Sequence, residues 1–448
     1  MTGLWFAQAL LPGGWGHGVR ILIEAGRIVE VESNSAPEPS DQRFSTGIPG
    51  LPNLHSHVFQ RAMAGLAEAP GTAVADDFWS WRDQLYQLVS KLGPDEVRDI
   101  AAMAFVEMLE TGFTRVGEFH YLHHVPGGTP YAHCAEMAAA IAAAAQQTGI
   151  ALTLLPVFYA HSGFGGQPPN EGQKRFVTDL DGFARLLDQS QATIASLPDS
   201  VLGIAAHSLR AVSPGELEHL PELVALGPVH IHIAEQQREV ADCLDWCGAR
   251  PVRWLIDHMP VNERWCLVHA THVDPGELAA IARSGAVVGL CPITEANLGD
   301  GLFPADEFVR SGGRFGIGSD SNVHIDAAEE LRLLEYGQRL RLERRNVLAL
   351  PPRSTGRSLF DSAFAGGARA LGADYPGLAE GAPADIVALS RDPAADGDRA
   401  LDRWIFAPNS CGIEAVWRAG VQVVADGRHR ERETVEARFA TALGRIAS

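Results

Sequence analysis

Lysine is almost missing from this chain. Of its 448 residues only Lys91 and Lys174 are lysines, set in the polar stretches SKLGPD and GQKRF, so arginine carries nearly all the positive charge. Positive charge is itself scarce: 36 Lys and Arg face 55 Asp and Glu, a formal net charge of -19. Such a balance argues against DNA, RNA or an anionic membrane as partner. An anionic substrate would have to be gripped by local arginines against the overall field. Cysteine is sparse as well. The six are scattered without zinc-ribbon spacing, so they read as reduced core thiols, with Cys243 and Cys247 one helical turn apart. Long apolar runs are absent; the stretch from Ala138 to Ala145 is far too short to span a bilayer. The opening MTGLWFAQALLPGGWG lacks a basic segment and breaks at Pro12 and Gly13, so it does not read as a signal peptide. Together these features predict a cytoplasmic protein. No GxGxxG follows the first apolar strand, which speaks against a dinucleotide fold.

What is present is a large core: 46% of residues are hydrophobic and 20% charged. Residues 19–33, VRILIEAGRIVEVES, alternate apolar and polar around Ala25-Gly26, as a β-hairpin does. A like pattern returns in ADIVALS (384–390) and in AVWRAGVQVVADGRH (415–429), with Gly420 at the turn. The two ends therefore predict one composite β-sandwich domain, residues 1–48 with 377–448. Between them, residues 49–376 alternate short apolar runs with helical stretches such as 95–111 and the Ala-rich 134–147. The apolar runs are 47–54, 113–118, 151–158, 201–206, 229–233, 265–269, 286–291 and 314–318. Eight βα units predict a parallel (β/α)8 barrel, with 161–173 a long loop.

In such a barrel the reactive groups belong at the C-terminal ends of the strands. The polar residues found there form a set. GIPGLPNLHSH ends the first run with His55 and His57, two apart and so able to face one spot from a strand. The fifth run, VHIHIAEQ, carries His232 and Glu235; the sixth, WCLVHATH, carries His269; the eighth, GIGSDSN, carries Asp320. Three imidazoles and a carboxylate suit a zinc-class ion with a position left for water. A second group, His120, His123, His124 and His133, reads as an exposed loop rather than a second metal site.

The order HxH, His, His, Asp resembles the amidohydrolase superfamily in its mononuclear deaminase branch, over nearly the whole chain. More narrowly, LPNLHSHVFQRAMAGLAE and CPITEANLGDGLFP are similar to the formimidoylglutamate deiminases of histidine degradation, Ile293 being one variation beside the motif. The resemblance implies that His55, His57, His232 and Asp320 hold one divalent metal, zinc first, and that Glu235, His269 and Asp320 do the chemistry. It implies substrate contacts at Gln60, Arg82, Tyr121, His207 and Arg210. Two arginines suit the two carboxylates of N-formimidoyl-L-glutamate. The reaction implied is hydrolysis of that linear amidine to N-formyl-L-glutamate and ammonia, by a homodimer. A purine-type, guanine-like aminohydrolase is the alternative, because it shares the ligand set but needs stacking and amide contacts instead of cationic clamps. Binuclear members bridge two ions with a carboxylated lysine in mid-barrel; neither lysine here stands on a strand, and strand four offers His207 instead.

Overall fold

Strands buried on both faces read as unbroken apolar runs, and the centre of this protein is built from them. In the computed structural model, which describes residues 1–68 and 78–447, eight parallel strands follow one another around a barrel: Leu51–Ser56, Phe113–His120, Ala151–Phe158, Ile204–Ser208, Val229–Ile233, Trp265–His269, Val287–Leu290 and Arg314–Ile317. A two-residue piece, Val201–Leu202, pairs with the third strand just before the fourth begins. Helices such as Pro94–Glu110, Glu136–Thr148 and Thr355–Ala370 cover the outside.

The barrel closes where its last strand meets its first. Ser56 and Asp320 form a parallel bridge. His57 N–H donates to Asp320 O at 2.9 Å, and Asp320 N–H to His55 O at 3.0 Å. Asn53 Nδ2 donates to Ser319 Oγ at 2.6 Å, and Ser319 N–H donates back to Asn53 Oδ1 at 3.1 Å. Gly318 is needed at this joint, because a Cβ there would lie 2.7 Å from His55 O.

Five of the eight expected strands have different limits, the second reaching His120 rather than 118, and two of the shifts bear on the site. The run 47–54 divides at Gly50: Gln42–Pro49 belongs to the terminal sheet, and only Leu51–Ser56 enters the barrel. The fourth strand reaches Ser208 rather than 206, so His207 is a strand residue.

Both ends of the chain build a second, eight-stranded sheet. Its order is Arg428–His429, Val421–Ala425, Ile413–Arg418, Ile386–Leu389, Gln42–Pro49, Thr2–Leu11, Gly14–Glu24 and Arg27–Glu32. The sheet encloses its own apolar cluster, including Phe6, Val19, Ile21, Ile386 and Trp417, in a sandwich-like arrangement. The opening strand Thr2–Leu11 was not legible as a strand beforehand; its pairing partners lie at residues 14–23 and 42–47. Buried Arg418 ties the sheet to the barrel side, with Nη1 3.1 Å from Asp385 and 3.2 Å from Asp199. No helix among the described residues is long and apolar enough to cross a membrane.

Candidate active site

The strand-end residues meet at one mouth of the barrel. His55 ends the first strand's inward row, and His57 follows it directly. Their Nε2 atoms are 3.2 Å apart, and His232 Nε2 lies 3.0 Å from the first and 3.3 Å from the second. Asp320 Oδ1 completes the group at 3.6 Å from His55 and 3.4 Å from His57. All four residues are buried.

The tautomers of two rings are fixed from behind. His57 Nδ1 faces Phe119 O at 2.9 Å and His232 Nδ1 faces His207 O at 3.0 Å. A carbonyl only accepts, so each Nδ1 carries the hydrogen and each Nε2 turns a lone pair inward. Burial lowers the pKa of all three imidazoles, that of His55 to about 3, and keeps them neutral. Inward lone pairs this close repel unless a cation lies between them. Ligands of a tetrahedral zinc-class ion, bonded at about 2.0–2.1 Å, stand roughly 3.3 Å apart, which is the spacing found here. The residues present therefore fit a single divalent ion.

Beside this group stand further buried titratable residues. His269 Nε2 is 3.7 Å from both Glu235 Oε1 and Asp320 Oδ2, while its Nδ1 faces Glu295 Oε1 at 3.2 Å. Burial would make His269 less basic, but Glu235, Glu295 and Asp320 around it prevail and raise its pKa to about 10. Burial also raises Glu235, despite the neighbouring imidazole. Both shifts favour the protonated form, and groups 3.7 Å apart titrate together rather than singly. For Asp320 burial acts upward, yet His55, His269 and His57 keep its carboxylate well below the ordinary range. His269 and Asp320 are held in left-handed backbone, at φ 68° and 47°, as are the neighbouring Ala234 at 51° and Ala270 at 48°. Such conformations are costly without glycine and cluster at functional sites.

A cavity opens over the group, and Gln60, Arg82, Tyr121, His207 and Arg210 all line it. Gln60 Nε2 donates to Tyr121 Oη at 2.9 Å, leaving its buried Oε1 without a partner among the described residues. The guanidinium of Arg82 lies 4.4 Å from the Trp79 ring centre and that of Arg210 5.8 Å from the same ring. The cationic wall is thus a pair, carried by the helix Phe78–Val89 and by the loop after strand four.

Sequence reasoning missed three contributors. Tyr86 and Tyr159 line the cavity, and Glu295 orients His269 while its Oε1 accepts Cys291 N–H at 2.9 Å. Glu295 lies inside CPITEANL, in the short helix Pro292–Leu298 that follows strand seven; its place just past a strand end was the available signal.

The expectation of an exposed histidine loop is wrong for three of its four members. His120, His123 and His124 are buried, and only His133 is exposed. His123 Nε2 faces Val157 O and His124 Nε2 faces Val177 O, each at 2.9 Å. The cysteines are likewise not all core residues, since Cys247 is exposed.

Residues 46–423 match the model of the Amidohydrolase family, and residues 1–45 that of the formimidoylglutamate deiminase HutF N-terminal domain. The chain is 48% identical to formimidoylglutamate deiminase of Pseudomonas aeruginosa over 456 aligned positions, covering 100% of both chains. Among solved structures, an amidohydrolase from Brucella melitensis is 52% identical with a TM-score of 0.97, covering 100% of both. An adenosine deaminase from Xanthomonas campestris with bound zinc shares the fold at 22% identity and a TM-score of 0.81, covering 100% of this chain and 98% of that one. This chain belongs to the amidohydrolase family, among the formimidoylglutamate deiminases.

Proposed function

We propose that this chain hydrolyses N-formimidoyl-L-glutamate to N-formyl-L-glutamate and ammonia. One observation carries the choice of substrate: Arg82 and Arg210 stand together in the cavity that opens onto the His55–His57–His232–Asp320 group. Two guanidinium groups are what a dianionic linear amidine needs and what a neutral purine does not.

The family uses a divalent metal, and the ligand set, three imidazole nitrogens and one carboxylate, is one that favours zinc. Such an ion lowers the pKa of water from about 16 to about 7, so that a nucleophile is available at neutral pH. The rest falls to the chain. Asp320 directs Oδ1 to the histidines and Oδ2 to His269, so Oδ2 is placed to take the proton of the attacking water. His269 steadies the charge that develops as oxygen adds to the formimidoyl carbon. The tetrahedral carbon then bears two nitrogens, and the one that receives a proton leaves. With the arginines holding the carboxylates outward, the terminal nitrogen sits deepest, beside Glu235. Glu235 protonates it, the C–N bond breaks, and ammonia departs while the carbon keeps its bond to the glutamate nitrogen. Substrate contacts fall to Gln60, Arg82, Tyr121, His207 and Arg210. We place the enzyme in the cytoplasm as a homodimer acting on a free small molecule, with neither nucleic acid nor membrane as partner. A solution mass equal to one chain would overturn the dimer.

The test is turnover of N-formimidoyl-L-glutamate beside guanine. Ammonia and formylglutamate should appear in equal amounts with no turnover of guanine; stoichiometric formamide and free glutamate would sink the reading. Replacing Arg82 or Arg210 with Met should reduce kcat/KM for the dianion by roughly ten- to a hundred-fold, from about 1.5–3 kcal/mol of charge-assisted bonding lost.

A further inference from the structure

One wall of the cavity has no role in the scheme above. Tyr159 follows the third barrel strand, is buried, and lines the cavity with its ring edge-on to His207, centroids 4.8 Å apart. Its Oη lies 2.7 Å from Gln173 Nε2. Which group donates is settled at the other end of the glutamine. Gln173 Oε1 accepts the backbone N–H of Asn170 at 2.9 Å, so the amide nitrogen must be the end that faces Tyr159, and it donates. The phenol oxygen is therefore an acceptor in this pair. Its own hydrogen has no acceptor among the described residues and is left for the cavity. Burial raises the Tyr159 pKa, so the hydroxyl keeps that hydrogen, and Arg210 and Arg82 are near enough to act on it.

Gln173 comes from outside the barrel, on the turn Glu171–Gln173 within the long loop, yet it is buried. The turn is pressed against a second cavity tyrosine: a Cβ on Gly172 would lie 2.7 Å from Tyr86 Cδ2. A buried amide with one end on its own loop and the other on a cavity hydroxyl links that loop to the binding wall.

We propose that Tyr159 donates a third hydrogen bond to the carboxylate end of the substrate, beside Arg82 and Arg210, and that Gln173 is the positioning residue that aims its hydroxyl. This deepens the functional reading and rests on it. A carboxylate offers about four lone-pair sites, which two guanidinium groups need not fill. A neutral O–H adds direction without adding charge.

The experiment is steady-state kinetics of the metal-loaded full chain with N-formimidoyl-L-glutamate, with glutarate as competitive inhibitor. Tyr159→Phe should raise KM and the glutarate Ki together, about tenfold, with kcat changed by less than about threefold. Gln173→Leu should raise both severalfold in the native background and have no further effect in the Tyr159→Phe background. A merely structural Gln173 would cost the same in both backgrounds, and that result overturns the positioning role. If Tyr159→Phe leaves KM and Ki unchanged while Arg210→Met raises them, this inference alone fails. If neither substitution moves them, the functional reading fails with it.

Discussion

The barrel carries two groups of buried histidines, one where strands one and five end and the other at and just past the end of strand two. They differ in which nitrogen looks inward. In the first group His57 and His232 spend Nδ1 on carbonyls, and three Nε2 atoms converge within 3.0–3.3 Å. In the second group it is Nε2 of His123 and His124 that meets a carbonyl, and the Nδ1 atoms find no partner among the described residues. Nor do their nitrogens gather: among the described residues His120, His123 and His124 form no cluster whose ligand atoms all lie within 4.8 Å of one another, as those of His55, His57, His232 and Asp320 do. Burial and histidine count are alike; the direction of the back-side hydrogen bond turns the ring nitrogens of the first group onto one point and those of the second onto the surrounding backbone.

Substitutions can break or sharpen that contrast. The largest effect is expected at the converging group. His57→Ala and Asp320→Asn should each remove a ligand, lowering the metal content measured by elemental analysis and reducing turnover by orders of magnitude. Retention of one equivalent of metal with near-normal turnover in either variant would break the comparison. Glu235→Gln should separate holding the ion from moving the proton: one equivalent of metal retained, most of the rate gone. Near-native turnover there would remove the proton-transfer role. At the second group His123→Leu leaves Val157 O without its donor, so denaturant unfolding should show a loss of about 1–3 kcal/mol. Metal content and kcat should stay as they were; a fall in metal content would make His123 a ligand after all. The smallest effect is expected at His133, which is exposed. His133→Ala should change neither stability nor rate measurably, and a loss of either would show that the exposed member belongs to the buried group.

The same contrast marks how far the sequence could be read. The convergence of His55, His57, His232, Glu235, His269 and Asp320 is legible because barrel strands are unbroken apolar runs, and a polar residue at the end of such a run has one place to go; which four of them would hold an ion comes from the family resemblance. The burial of His123 and His124 is not legible in the same way. Their carbonyl partners, Val157 and Val177, lie on a neighbouring strand and a distant loop, which local pattern does not encode. Arg82 and Arg210 were found only through the family resemblance. What brings them to one indole ring is the packing of the helix Phe78–Val89 over the mouth. Tyr159 and Gln173 join through a hydrogen bond 14 positions apart, with no periodicity to announce it.

The joint between the barrel's last and first strands has a further consequence. Asn53 and Ser319, bonded across it, are 266 positions apart, and the cluster of His55, His57, His232 and Asp320 straddles the same joint. A growing chain therefore cannot bring these four side chains together until the eighth strand has been made and has found the first. Long-range closure of this kind is slow, because loop entropy is spent before any contact repays it. A molecule whose eighth strand has frayed loses Asp320 and the clamp on His55 and His57 in a single event, so the affinity of this cluster for an ion would gauge ring closure.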